Sequence, residues 1–389
     1  MRICILLPRI PFPENGGDVL RINNIARYLR SKNHYLILCT FYNNEISDKD
    51  RNNIEELYDK IYYIRHSKKL AIINSFISFI CGKPMQCGYY FSRKYDSCIK
   101  NIVASENIDL YISHLLRMVP YLERNNLQDK SIIEMTDALS KTYNLSSATK
   151  VFSLKKFIYF FEKTAIKKYE RKVINNYKKI ILVSESDIKY LGSYNNLYCY
   201  SNGINCIQKS VTYDNKKICF VGNMRTLQNQ DAVMRFVNDI LPIIRQEIPD
   251  VQFHIVGAEP PEKIKKLTEI NNVYVTGFVD SVEEYIKDSC LLVAPVRIAA
   301  GIQNKVLIGM ACHVPVILTS LIAKAIPELI NGENCFIEDD NLKFAERCKD
   351  LILNGDLRNL LSLKAFQMVS NNYSWFEKLE GYESFLVKK

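Results

Sequence analysis

The chain has 389 residues, 48% of them hydrophobic and 24% charged, with 52 Lys and Arg against 42 Asp and Glu. That length suggests two domains, and that composition excludes a disordered chain. The formal charge of +10 leaves room for an anionic partner, either a nucleotide diphosphate or an acidic lipid surface. Nucleic acid is disfavoured, because there is no helix-turn-helix, RNA-binding aromatic motif or zinc-finger spacing.

The opening run MRICILLPRIPF is too short for a signal peptide and is broken by proline, so it reads as a first strand. No run reaches the roughly 18 apolar residues that a bilayer span needs. The 12 cysteines form no C-x-x-C pair. Reduced thiols in a cytoplasmic protein are therefore expected, several of them acting as small buried hydrophobes.

Residues 2–7 are strand-like, and a Pro- and Gly-rich turn follows. Val19, Ile22, Ile25, Ala26 and Leu29 then share one helical face. Gly16 and Gly17 thus lie between the first strand and the first helix, where α/β folds collect ligands. They do not form a G-x-G-x-x-G fingerprint, and a plain tight turn fits them equally well. Strands follow at 35–42 and 61–64. The segment 68–84 is basic at its start, then aromatic and apolar; a buried helix is expected, with a helix lying on a membrane as the alternative.

DLYIS (109–113) reads as a strand ending at His114, with Arg117 close behind. SIIEMTDALS (131–140) is another, with Asp137 at its carboxyl end. His114 is either a ligand-facing group at a strand's carboxyl end or a satisfied structural histidine. The basic, aromatic helix at 154–179 either lies on anionic lipid or packs on the core with a solvated lysine face. Strands at 180–184 and 197–200 complete a first domain, 1–200.

The second half repeats the βα alternation, which predicts a second doubly wound domain over 201–372. KICFVGN (217–223) is a strand running into Gly222, and the loop after it carries Arg225 and the pair Asn229-Gln230. Strands VQFHIVGA, NVYVTGF and CLLVAPV follow. The stretch 293–319, VAPVRIAAGIQNKVLIGMACHVPVILT, reads strand, turn at Gly301, helix over 302–312, strand. A glycine-led helix N-terminus beyond a strand's carboxyl end favours phosphate. Gln303, Asn304 and Lys305 add polar donors and a cation. No D-x-D run, metal-ligand cluster, P-loop or serine-hydrolase elbow is present.

This stretch resembles the donor-binding segment of retaining glycosyltransferases of the GT-B fold, the family-4 group. The similar subgroup reads approximately G-I-Q-x-K-V-L-E-A-M-A, against GIQNKVLIGMA here, and builds bacterial surface polysaccharides such as capsule, O-antigen or exopolysaccharide. The resemblance implies two Rossmann-like domains facing a central cleft, with a terminal helix, 373–389, crossing back to the first. It implies transfer of a sugar from a UDP- or GDP-linked donor to a hydroxyl of a glycan or undecaprenyl-type lipid-linked acceptor. It implies no cofactor and no metal, and a cytoplasmic protein; the basic helix at 154–179 adds, from its own composition, a peripheral contact with an anionic membrane surface as an alternative to packing, and the subgroup's helix at this place favours packing as at least part of its role. Gly222, Arg225, Gly301, Gln303, Asn304 and Lys305 are then expected at the donor, and Gly16 and Gly17 at the phosphates and acceptor. DLYISH resembles the family's D-V-L-H-I-H run, which implies a catalytic place for His114, with Arg117 and Asp137 as polar neighbours. The family's helix glutamate falls on Ile308 and its earlier glutamate on Ala300. A non-catalytic subunit supporting an active partner and a sugar-nucleotide epimerase of the same fold remain open readings.

Overall fold

The structure is a computed structural model describing residues 1–14, 16–141, 143, 154–209, 213–298 and 302–387, with the backbone alone for 154–160. The chain forms two compact units, Met1–Asn202 joined by Leu379–Lys389, and Gly203–Lys378.

The first unit holds seven strands: β1 (Arg2–Leu7), β2 (Tyr35–Tyr42), β3 (Lys60–Arg65), β4 (Leu110–His114), β5 (Ser131–Thr136), β6 (Ile180–Leu182) and β7 (Leu197–Cys199). They pair in parallel in the order β3-β2-β1-β4-β5-β6-β7. Strands covered on both faces read as continuous apolar runs, and Ile3–Leu7 are all buried. In the second unit, β8 (Asp214–Val221), β9 (Gln252–Val256), β10 (Val273–Gly277), β11 (Ser289–Ala294), β12 (Val316–Leu318) and β13 (Phe336–Ile337) pair in parallel in the order β10-β9-β8-β11-β12-β13.

Each sheet winds outward from its first strand and then reverses. The reversal lies between β1 and β4 in one unit and between β8 and β11 in the other. Crossovers on opposite faces leave a crevice at the carboxyl ends of such a pair.

Two expectations are corrected. The helix within 68–84, Lys68–Ile80, is not buried; only Ala71 among its residues is. Its inward face carries the small and polar side chains, so the apolar ones point to solvent. The tail is not one helix. It breaks into Trp375–Lys378 and Tyr382–Val387, with Gly381 at φ 74° between them. The long basic helix, Leu154–Asn176, buries Ala165, Ile166, Val173 and Ile174 and leaves Lys167, Lys168, Arg171 and Lys172 exposed.

A buried polar network ties the first unit together. Arg21, on the helix Gly17–Ser31, is wholly buried, and its Nε donates to Glu134 Oε2 on β5 at 2.8 Å. Its Nη1 donates to the Tyr200 carbonyl at 2.8 Å and to Asn202 Oδ1 at 3.0 Å. Tyr382 of the tail donates its hydroxyl to Glu134 Oε1 at 2.7 Å. A desolvated ion pair contributes little over an apolar substitute, but removing one partner strands the other charge. Arg21→Met is therefore expected to destabilise the first unit by about 3–5 kcal/mol. Tyr382→Phe removes one charged hydrogen bond, about 1.5–3 kcal/mol. Thermal unfolding of the two variants checks this order; equal, negligible shifts would contradict it.

Candidate functional site

The crevice of the second unit is built from glycine contacts. A Cβ on Gly257, whose φ is +149°, would stand 1.9 Å from the Gly222 carbonyl oxygen. One on Gly222 would stand 2.5 Å from Asn229 Nδ2. Glycine at 257 therefore lets the loops after β8 and β9 close on each other, and glycine at 222 leaves room for the Asn229 side chain. Asn229, on the helix Leu227–Arg235, pins the first loop by donating Nδ2 to the Asn223 carbonyl at 2.9 Å. Gln230 does the same for the Met224 carbonyl at 2.7 Å.

The helix Asn304–Ala311 follows β11 and is drawn onto the sheet by Gly309, where a Cβ would meet Leu292 Cδ1 at 3.1 Å and Val316 Cγ2 at 3.2 Å. The helix starts at Asn304 rather than at the expected Ile302, with buried Gln303 as its N-cap; Asn304 is exposed. Lys305 is 7% exposed, and its Nζ donates to Asn229 Oδ1 at 2.5 Å and sits 4.6 Å from the centre of the Phe220 ring. Among the described residues it has no carboxylate partner. Burial lowers its pKa to about 8. A buried ammonium facing only an amide and a ring is unsettled by itself and would be stabilised by an anion.

Gly222, Asn229 and Lys305 thus form one contact set. Arg225 stands apart on the solvent side of the loop, paired with Glu259 at 3.0 Å and largely exposed. Gly301 and Ala300 lie outside the described residues. Ile308 is half-buried against the core and offers no acceptor. The sequence singled out neither Arg235 nor Arg297. Arg297 makes a two-pronged pair with Asp231 at 3.0 and 2.6 Å, and Arg235 donates to Asn341 and to the Pro295 carbonyl. With Thr319, Ser320 and Asp339 they border a polar cavity of about 570 Å³. Only the pairing of β11, β12 and β13 brings them together.

In the first unit, Gly16 is the N-cap of the helix Gly17–Ser31 at φ 136°, and a Cβ there would meet Arg9 Nη2 at 2.9 Å. Gly17 faces open space. His114 ends β4, is 1% exposed, and has no side-chain hydrogen-bond partner among the described residues; its ring approaches the Asp18 backbone without closing a well-formed bond. Burial holds its pKa down to about 3, with Asp18 pulling upward and Arg21 and Arg117 downward. Arg117 lies over the Tyr90 ring at 5.0 Å, and its Nε has no hydrogen-bond partner among the described residues. Asp137 follows β5, and burial with the nearby Asp187 raises its pKa. Gly16, Gly17 and His114 therefore share the β1/β4 crevice, with Asp18 and Arg117 as its charges. Among the described residues, no group of three His, Cys, Asp or Glu side chains could hold a metal ion.

Residues 215–354 match the family model described as "Glycosyl transferases group 1". An uncharacterized glycosyltransferase of Methanocaldococcus jannaschii is 26% identical over 97% of this chain and 96% of its own. An uncharacterized 44.6 kDa protein of the Klebsiella pneumoniae cps region is 22% identical over 96% of each chain. Anabaena Alr3699/HepE, solved in complex with UDP, superposes with a TM-score of 0.58 at 13% identity, covering 99% of both chains. WaaG, a glycosyltransferase involved in lipopolysaccharide biosynthesis, does so with 0.56 at 12% identity over 100% of both. The chain has the GT-B fold of these neighbours, and its residues 215–354 match a group 1 glycosyltransferase domain.

With its pKa held down to about 3, His114 is neutral across the physiological range. The unfolded chain takes up that proton near pH 6.5 and the folded chain only near 3, so stability falls on acidification below about 6.5. Between pH 6.5 and 5 the loss from this residue is about 2 kcal/mol. His114→Asn is expected to flatten the decline by that amount, leaving the comparable part due to His254, whose pKa burial lowers to about 4, and the parts due to His34 and His313, which burial also lowers. Denaturant titrations at the two pH values measure it; parallel declines would contradict a buried neutral His114.

Proposed function

We propose that the glycosyltransferase moves a sugar from a UDP- or GDP-linked donor to a hydroxyl of a glycan or undecaprenyl-type lipid-linked acceptor during synthesis of a bacterial surface polysaccharide. The observation that carries this is Lys305: a buried ammonium, without a counter-charge among the described residues, at the carboxyl-end crevice of β8 and β11. A nucleotide diphosphate supplies the missing charge. The neighbours solved with UDP and with UDP-glucose support the donor class, and the cps-region relative supports the product class.

In this reading the anomeric C–O bond to the diphosphate breaks while a C–O bond to the acceptor oxygen forms, and the acceptor hydroxyl's proton passes to the departing diphosphate oxygen. Negative charge grows on the diphosphate. Lys305 and backbone N–H groups at the start of Asn304–Ala311 stabilise it where it grows, which is worth most when the donors are already oriented. No metal is required by such an arrangement, and retention of configuration follows the family resemblance. Gly222, Asn229, Gln303 and Asn304 shape the diphosphate cradle, and Arg225 reaches it by leaving Glu259. The first unit serves the acceptor side: Gly17 leaves room for close approach, and neutral His114 hydrogen-bonds a sugar hydroxyl, with Arg117 and Asp137 nearby. Ile308 gives the ribose hydroxyls no carboxylate, a loss of about 1.5–3 kcal/mol in donor binding that the other contacts must offset. The exposed lysines of Leu154–Asn176 can add to attraction for an anionic membrane.

Calorimetry with UDP, GDP and their sugar conjugates tests the reading. Selective binding is expected, weakened about tenfold or more in Lys305→Ala and less in Arg225→Ala. Lys305 loses its proton as pH rises through about 8, so binding above pH 8 takes one up. Heats measured at pH 8.5 in two buffers of different ionisation enthalpy reveal that uptake. Absence of binding at millimolar nucleotide, or binding indifferent to Lys305, would contradict the reading.

A further inference from the structure

The helix Lys68–Ile80 is amphipathic the wrong way round for a solvated domain. Its inward face is small and polar. Ala71 is 2% exposed, Asn74 Nδ2 donates to the Phe91 carbonyl at 3.0 Å, and Ser78 lies against Gly88 of the short helix Met85–Tyr89. A Cβ on Gly88 would stand 2.2 Å from Ser78 Oγ and 2.4 Å from the Asn74 carbonyl oxygen, so this contact is close by construction. The short helix is itself fixed, because Glu162 accepts the Met85 and Gln86 N–H groups at 2.7 and 3.1 Å. Phe79 packs its ring 4.3 Å from that of Phe161. The helix is therefore held in place, with its apolar side outward.

That outward side carries Leu70 (60% exposed), Ile72 (64%), Ile73 (54%), Phe76 (61%), Ile77 (51%) and Ile80 (67%). At 100° per residue they span a stripe of roughly 160°. A contiguous patch of this kind on a folded unit marks a docking surface.

The charge around the patch identifies what docks. Between Arg65 and Tyr95 there are six cations, Arg65, Lys68, Lys69, Lys83, Arg93 and Lys94, and no Asp or Glu. Five of the six, all but Lys83, border a cleft of about 1010 Å³ at the foot of the helix, and none of the six is ion-paired among the described residues. We propose that this face seats on an anionic lipid bilayer, with the helix lying in the interface and the cationic cleft taking lipid phosphates. A helix of thirteen residues is about 20 Å long, too short to cross a bilayer but long enough to lie in one leaflet. A second copy of the chain would set six cations against six, which disfavours self-association through this face. The surface lies outside every contact assigned to the donor or acceptor, so it stands whether or not that assignment does.

Vesicle flotation of the full chain tests it. Binding is expected to phosphatidylglycerol-containing vesicles and not to phosphatidylcholine alone, and to fall as salt rises. The double variant Phe76→Ser, Ile77→Ser is expected to bind at least tenfold more weakly. Lys68→Ala and Lys69→Ala are each expected to cost roughly fivefold. All should keep the wild-type melting temperature and nucleotide binding, because these side chains are exposed and remote from Lys305 in sequence and unit. Three outcomes would overturn the proposal: a wild-type chain that stays in solution with anionic vesicles, variants that float as well as wild type, or a dimer by light scattering that Phe76→Ser converts to monomer.

Discussion

A parallel sheet that winds one way and then the other leaves its strand ends uncovered at the reversal, and this constraint fixes where the candidate site residues gather. Helices cross on opposite faces there, so the carboxyl ends of two neighbouring strands open onto a crevice. The chain has two such reversals, β1/β4 and β8/β11. The first gathers Gly16, Gly17 and His114. The second gathers Gly222, Asn229 and Lys305. At each reversal the glycines leave room for close approach, and a buried ionisable side chain is short of side-chain partners among the described residues: His114, whose ring meets only the Asp18 backbone, and Lys305, an ammonium with no carboxylate.

Much of this was legible in the sequence because it depends on short-range pattern. Strands buried on both faces announce themselves as apolar runs, and the glycine that ends β8 or precedes the helix Gly17–Ser31 sits next to its strand in the chain. The strand-end positions of His114 and Lys305 follow from the same local order. The contact of Asn229 with Lys305, seventy-six residues on, does not. Neither does the convergence of Arg235 and Arg297 on one cavity, nor the meeting of Arg21, Glu134 and Tyr382, because each needs the strand order that brings distant segments together.

The helix Lys68–Ile80 shows a different limit. Its apolar residues have helical spacing, and spacing alone points them at a core. Direction is set by the other face, where Ala71, Asn74 and Ser78 meet Gly88 more closely than any large side chain would permit. Steric closeness on the small side, rather than hydrophobicity on the large side, decides which way the helix turns. The result is an enzyme whose first unit presents an apolar, cationic face while its second unit holds a cation inward. A lipid-linked acceptor and a diphosphate donor would make use of both.

The most direct test is a crystal structure of the protein with bound UDP. The account predicts diphosphate oxygens within hydrogen-bond distance of Lys305 Nζ and of the N–H groups that open Asn304–Ala311, with Asn229 still holding the loop after β8. Nucleotide bound elsewhere, or bound with Lys305 still on Asn229 alone and no contact to phosphate, would contradict it.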